Sequence, residues 1–305
     1  MSWSTSDIPD LTGQRALVTG ATSGLGYETV LELLKHGAEV IIAARNPEKS
    51  LQAAAKLAAA SGRAEGPEIL DLDLADLTSV KTAAEQFKHD RLDLLVNNAG
   101  VMATPFRQTA DGFELQVGTN HLGHFALTAR LLPKLLQAEH PRVVTVSSFM
   151  HKTVRTIGQS DFRAENGYAK WGAYGKSKLA NLLFMLELDR RAQAAGSPLL
   201  SLASHPGYAR THLQTAGPQL GGKNLEARIM GLGTKLVAQS AAAGAWPSLY
   251  AATMPGVRSG SYYGPSFFEY RGKPKLVQPT KTARDAELAQ RLWAWSVEAT
   301  GVDAF

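Results

Sequence analysis

Short, near-continuous apolar runs alternate with longer stretches of helical periodicity along most of the chain. The runs are Arg15–Val18, Glu39–Ala43, Ile69–Leu72, Leu92–Val96, Arg142–Val146 and Leu199–Ala203. They lack the polar alternation of a half-exposed strand, which is how a strand covered on both faces reads. Between them, Leu25–His36, Pro47–Ala60, Leu77–Lys88, Gly112–Gln137 and Trp171–Ala194 carry helical patterns. Strand and helix in this alternation predict parallel strands joined by right-handed crossovers. The expected fold is therefore α/β, a doubly wound, Rossmann-like parallel sheet in a single domain over residues 1–305. Residues 212–254 are rich in Gly, Ala and Gln; they are expected to form a helical insertion on the substrate side that, with Tyr208, makes a lid. A last helix, about Ala283–Ala299, carries Leu288, Leu292, Trp293 and Trp295 and should dock by that face, its tryptophans serving packing rather than stacking on a ligand.

Composition narrows the function classes. With 44% hydrophobic and 19% charged residues, a large core is available and disorder is not expected. There is no cysteine, which excludes disulfides, iron–sulfur clusters and thiolate zinc sites and fits a reducing cytoplasm. The net charge of +5 is spread along the chain rather than clustered among aromatics, so a nucleic-acid partner is not expected. Met1–Thr12 has no apolar run suited to export, and no stretch approaches the roughly 18 apolar residues of a membrane helix. The expectation is a soluble, cytoplasmic protein without a membrane span.

The first strand leads directly into Thr19-Gly20-Ala21-Thr22-Ser23-Gly24-Leu25-Gly26, and a helix follows. Glycines here allow a tight turn, close approach of backbone to a pyrophosphate, and close packing of helix on strand. The helix N-terminus then offers free N–H groups to the anion. Gly20, Thr22, Ser23, Gly24, Leu25 and Gly26 are thus candidate dinucleotide-binding residues. At the end of the second strand, 19 residues past Gly26, stands Arg45 where an acid would select NAD. A guanidinium suits a 2′-phosphate, so NADP is expected over NAD, with an exposed surface arginine as the other reading. Asp73, with Leu74 beside it, is placed to meet the adenine edge, with helix capping as its alternative; Asp76 is the better candidate cap.

Of the eight tyrosines only Tyr174 has a lysine four residues later, Lys178. On a helix the two share a face. A free phenol has a pKa of about 10, too high for efficient proton exchange near neutrality, and a nearby ammonium favours the phenolate. The fifth strand ends in Ser147-Ser148 and the fourth in Asn97-Asn98-Ala99-Gly100, both at the sheet edge where such folds bind ligands. A serine there can hydrogen-bond a substrate oxygen. Asn120 is an uncapped asparagine in mid-helix, which is mildly unfavourable and calls for a reason. His121 and His124 have helical spacing but no third ligand in the motif, so a structural role is expected and no metal site.

Together these motifs resemble the short-chain dehydrogenase/reductase family, from about Thr12 to the last helix. Stretches such as Asp111-Gly112-Phe113-Glu114, Asn120-His121-Leu122-Gly123-His124-Phe125 and Ser177-Lys178-Leu179-Ala180-Asn181 are similar to its retinol-dehydrogenase-like branch. Thr145 departs from the asparagine of many members. The resemblance implies an NADP(H)-dependent oxidoreductase that moves a hydride between nicotinamide and a small-molecule carbonyl or alcohol; a pocket wall from Phe149–Ala173, with Trp171, would suit a lipophilic one. It implies Tyr174 as general acid and base and Lys178 as the group that lowers its pKa and holds the nicotinamide ribose. Ser148 would orient the substrate oxygen, and Asn120 would position a water in a proton relay. Asn98, Ala99 and Gly100 would pack on the cofactor, with Pro206, Gly207 and Thr211 beside the nicotinamide. A homo-oligomer paired through the Tyr174 helix fits the same resemblance. The alternative is a non-catalytic NADP-binding redox sensor or scaffold.

Overall fold

The computed structural model describes residues 3–208 and 239–305. These residues form one eight-stranded sheet, comprising β1 (Arg15–Thr19), β2 (Glu39–Ala44), β3 (Glu68–Asp71), β4 (Leu94–Asn97), β5 (Arg142–Val146), β6 (Leu200–Ser204), β7 (Tyr262–Phe267) and β8 (Arg271–Leu276). The order is β3-β2-β1-β4-β5-β6-β7-β8, all parallel except the antiparallel β7–β8 hairpin. The chain winds outward from β1 one way through β3, then returns to place β4 on the other side. This reversal is the doubly wound switch point, where a crevice opens at the carboxyl ends of the strands.

Side chains along a strand alternate between faces, so each face has its own core. Ala16, Val18, Val40, Ile42 and Val96 pack with helices α1 (Gly24–Lys35), α2 (Pro47–Ser61) and α7 (Ala241–Thr253). Leu17, Ile41, Ala43, Leu95 and Val143 pack with α3 (Leu77–Gln86), α5 (Gly123–Leu135) and α6 (Lys170–Ala194). A short turn of helix, α4 (Leu115–Val117), leads into α5. The last helix, α8 (Ala286–Thr300), begins at the cap Asp285 and docks on α6 through buried Leu288, Leu292 and Trp293. Trp293 is a packing residue as expected: its ring lies 4.9 Å from Phe125 and stacks 5.8 Å from Phe184.

The hairpin β7–β8 had no expectation in the sequence. β8, with Gly272 and Pro274, is the edge strand, and β7 meets β6 only at Tyr262 and Tyr263, so Gly264 and Pro265 lie beyond that ladder. Of the segment 212–254, residues 241–253 are α7, packed against α1 as part of a core layer. The lid expectation for 212–238, and Thr211 with it, lies outside the described residues.

Candidate active site

The Thr19–Gly26 turn folds as its glycines dictate. Gly20 has φ +67°, and a Cβ there would lie 2.9 Å from Cα of Ala99. At Gly26 a Cβ would meet Asn98 Nδ2 at 2.6 Å and Gly20 O at 2.7 Å. The turn is thus packed directly on the Asn98–Gly100 segment. Ser23 caps α1 without a side-chain hydrogen bond, and the first turn holds no acidic residue. Its N–H groups and positive dipole end therefore face a cleft of about 380 Å³.

Gly20, Thr22, Ser23, Gly24, Leu25, Gly26, Arg45, Asp73, Leu74, Asn98, Ala99 and Gly100 all line this cleft. Anion-binding N–H groups, glycines that admit a close approach, and a cationic corner are the features a dinucleotide phosphate needs, so the residues fit one. Asn46 and Lys49 also line the cation corner, which sequence reasoning missed. Lys49 sits in the first turn of α2, where a lysine reads as ordinary surface; its proximity to Arg45 was the available signal. Asp76 is the cap of α3, bonding N–H of Thr78 and Ser79, while Asp73 accepts from Ala75 N–H at 2.9 Å.

One hydroxyl gathers the strand ends. Thr19 Oγ1 accepts the N–H groups of Asn98 (3.0 Å) and Ala99 (2.9 Å) and lies 2.9 Å from His124 Nε2. The other ring nitrogen, Nδ1, donates to the carbonyl of Asn120 at 3.0 Å. That bond fixes the tautomer, so the threonine hydroxyl donates to Nε2. His121 pairs with Ser296 of α8 at 2.8 Å. Burial drives both imidazoles down, His121 to about 3 and His124 to about 4. The described residues hold no cluster of three or more metal-ligating side chains.

Asn120 has a specific reason for its position. Residues Gly118–Leu122 form a π-helical turn between α4 and α5, a local widening that marks functional sites. The Asn120 side chain accepts N–H of Val101 (2.7 Å) and donates to the Val101 carbonyl (2.9 Å) and Ser177 Oγ (2.9 Å). It thereby ties the Gly100–Met102 segment to α6. Glycines flank this turn for steric reasons: a Cβ at Gly118 would lie 2.4 Å from Thr109, and one at Gly123 2.4 Å from the Leu74 carbonyl.

Tyr174 and Lys178 lie on one face of α6, with Lys178 Nζ 5.9 Å from the Tyr174 ring centroid. Lys178 Nζ donates to the Val146 carbonyl at 3.0 Å, and Ser147 Oγ to the Lys178 carbonyl at 2.8 Å. Ser148 Oγ accepts N–H of Met150 at 3.2 Å, and its hydroxyl is near enough to Tyr174 to act on the phenol's pKa. A Cβ at Gly100 would be 3.0 Å from Asn120 Oδ1 and 3.5 Å from Lys178 Nζ, so the cleft's end wall adjoins this group. Ser148, Tyr174, Lys178 and Asn120 are thus brought together.

The lysine does not lower the phenol in the chain alone. Burial pushes Tyr174 up to about 12, against a smaller opposing effect of the Ser148 hydroxyl, and burial brings Lys178 down to about 8. Both groups are at most 4% exposed, and a low-dielectric site penalises either charge. Around Tyr174 pack Met102, Ala103, Met150 and Trp171, an apolar group. Pro206 and Gly207 follow β6 at the same sheet edge, with Gly207 at φ +64°.

A family model for short chain dehydrogenases matches residues 14–219. The chain is 38% identical to polyprenol dehydrogenase of Mus musculus over 301 residues, covering 96% of this chain and 86% of that one. It is 38% identical to retinol dehydrogenase 13 of Homo sapiens over 302 residues, with the same coverage of 96% and 86%. An Escherichia coli CFT073 protein solved in complex with NADPH is 27% identical and superposes with a TM-score of 0.61, covering 83% of this chain and 97% of its own.

Proposed function

The chain belongs to the short-chain dehydrogenase/reductase family, in its retinol-dehydrogenase-like branch, and from that premise we propose an NADP(H)-dependent reductase or dehydrogenase of lipophilic carbonyls and alcohols with Tyr174 as proton donor and acceptor. The observation that carries this reading is a cleft lined by the Gly20–Gly26 turn, Arg45 and Lys49 that runs to Gly100, where Asn120 and Lys178 of the Tyr174 face of α6 adjoin it. NADPH bound in that cleft would supply the hydride.

The chain's own residues do the rest. Gly20–Gly26 and the α1 N-terminus bind the pyrophosphate, and Arg45 with Lys49 favours a 2′-phosphate over a bare hydroxyl. Asn98–Gly100 forms the floor, and Lys178 sits within reach of a ribose at Gly100. Ser148 donates to the substrate oxygen and orients it against Tyr174. With its pKa raised, Tyr174 is protonated at neutral pH, the state a carbonyl oxygen needs from its acid as negative charge develops. In the opposite direction, with an oxidised nicotinamide bound, Lys178 would favour the Tyr174 phenolate that accepts the alcohol's proton. Asn120 holds Val101 and Ser177 in place next to Lys178, where a proton relay through water would pass. Met102, Met150 and Trp171 exclude water from the reacting centre and suit an apolar substrate, in keeping with the polyprenol named for a 38%-identical relative. No described helix is long and apolar enough to cross a membrane.

The test is NADPH oxidation against a panel of lipophilic aldehydes and ketones, with NADH and Tyr174→Phe as controls. Turnover that needs Tyr174 and prefers NADPH is expected. Tight NADPH binding with no turnover on any carbonyl would overturn the enzymatic reading.

A further inference from the structure

The three-residue turn of the β7–β8 hairpin, Phe268-Glu269-Tyr270, joins two parts of the site that the main sheet leaves unconnected. On one side is the segment that follows Ser148. His151 Nδ1 donates to the Ser148 carbonyl at 2.7 Å, and Lys152 is the next residue in the same turn of 3-10 helix, Phe149–Thr153. On the other side is His205-Pro206-Gly207. Glu269 reaches both. Each of its carboxylate oxygens accepts from Lys152 Nζ at 2.8 Å, and Oε2 lies 3.6 Å from Nε2 of fully buried His205. His205 Nδ1 accepts N–H of Gly207 at 3.2 Å, which leaves Nε2 as the protonated nitrogen, facing the carboxylate.

Tyr270 reinforces the same connection. Its ring lies 5.5 Å from Phe149, and its carbonyl accepts N–H of Tyr208 at 2.9 Å. A Cβ on Gly207 would lie 2.4 Å from that carbonyl oxygen, so the turn is seated directly on Gly207. Phe268 (φ +47°) and Glu269 (φ +61°) both adopt the left-handed conformation that side chains other than glycine avoid. Such a turn persists where surrounding contacts over-determine it, and the contacts here are those of Glu269 and Tyr270.

We propose that Glu269 is a positioning residue that clamps the Ser148 segment to the His205–Gly207 turn and thereby sets where Ser148 meets the substrate oxygen. It touches no reacting atom; it acts through Lys152 and His205. The inference rests on the role proposed for Ser148, but the clamp can be read without activity.

The experiment compares Glu269→Ala, Glu269→Gln and Lys152→Ala in the full chain. With the best carbonyl of the panel, Glu269→Ala lowers kcat about tenfold, the scale of a small misalignment at a reacting centre. NADPH affinity changes less than twofold, because Arg45 and the Gly20–Gly26 turn are untouched. Glu269→Gln keeps an acceptor for Lys152 and His205 and recovers most of kcat. Lys152→Ala mimics Glu269→Ala, and the double variant adds little. Amide hydrogen exchange of 149–153 and 205–208 rises in Glu269→Ala, with the Gly20–Gly26 region unchanged. Retained kcat, unaltered exchange in either segment, or a uniform loss of protection across the chain would each overturn the clamp. If the unaltered chain turns over no carbonyl, the proposed function fails, and the exchange pattern alone decides the clamp.

Discussion

Arg45 offers the sharpest test of how the cofactor is chosen. It is exposed at the cleft mouth with Asn46 and Lys49, so its attraction for a 2′-phosphate is screened by water. Hydrogen bonds to charged groups contribute about 1.5–3 kcal/mol, and exposure places Arg45 at the lower limit, about 1.5 kcal/mol. Lys49, a point charge without the guanidinium fork, is assigned about half of that, roughly 0.7 kcal/mol. At 1.4 kcal/mol per factor of ten, Arg45→Ala raises the Kd of NADPH about tenfold and Lys49→Ala about threefold. Because both meet the same phosphate, the double variant departs from the roughly thirtyfold product of the two singles, and the size of the departure measures their coupling. NADH has no 2′-phosphate, so its Kd moves less than twofold in each variant. Fluorescence titration with both cofactors reads this directly, at low and high salt. The NADPH preference of the unaltered chain should shrink as salt rises, and the double variant should show almost no salt dependence. Equal weakening toward NADPH and NADH would refute the argument, since it would make Arg45 a general support of the loop. So would no change in either.

Other consequences follow from the buried groups. Tyr174→Phe removes the proposed proton donor but keeps the ring packed, so kcat is expected to fall by about 10²–10⁴ with NADPH affinity retained; a retained rate would assign proton transfer elsewhere. Trp293→Ala removes the ring between Phe125 and Phe184 and destabilises by about 3–5 kcal/mol in urea unfolding, whereas a loss under 1 kcal/mol would contradict its packing role. His121, His124 and His205 have folded pKa values of about 3, 4 and 3, below the unfolded 6.5. The unfolded chain therefore takes up protons first, and stability that is complete above pH 6.5 is lost as pH falls toward 4. Three such groups give a limiting slope of about 4 kcal/mol per pH unit. Urea midpoints that stay level between pH 7 and 5 would contradict the neutral, buried histidines, and His121→Asn should flatten the slope by about one proton.

What could be read beforehand was whatever left a local trace. Buried parallel strands are apolar throughout, so β1 to β6 showed within a residue or two of their ends. The Gly20–Gly26 turn and the Tyr174–Lys178 spacing are short-range patterns with a direct mechanical meaning. Glu269 had no such trace, because its partners Lys152 and His205 lie 117 and 64 residues away, and only the hairpin brings them together. The β7 and β8 strands were obscured by Pro and Gly, which the edge strand β8 and the part of β7 beyond its short pairing with β6 tolerate. The π-helical turn at Asn120 could have been suspected from Gly118 and Gly123, whose role is close packing against Thr109 and Leu74. The direction of the Tyr174 shift depends on depth of burial, which spacing along a helix does not report.

The switch point between β1 and β4 also governs when the site can exist. Its parts come from Gly20, Asn98, Asn120, Ser148, Tyr174 and Gly207, and they meet only after β1 has gained β4 as its second neighbour. A chain extended only to β3 can pair β1 with β2 and β2 with β3, but it leaves the inner edge of β1 open and the glycine turn without the Asn98 and Ala99 amides that Thr19 gathers. Most of these contacts span long stretches of chain, and pairing of that kind is slow because loop entropy is lost before contact is gained. A nucleotide bound in this cleft would therefore stabilise only chains whose sheet is complete through its centre.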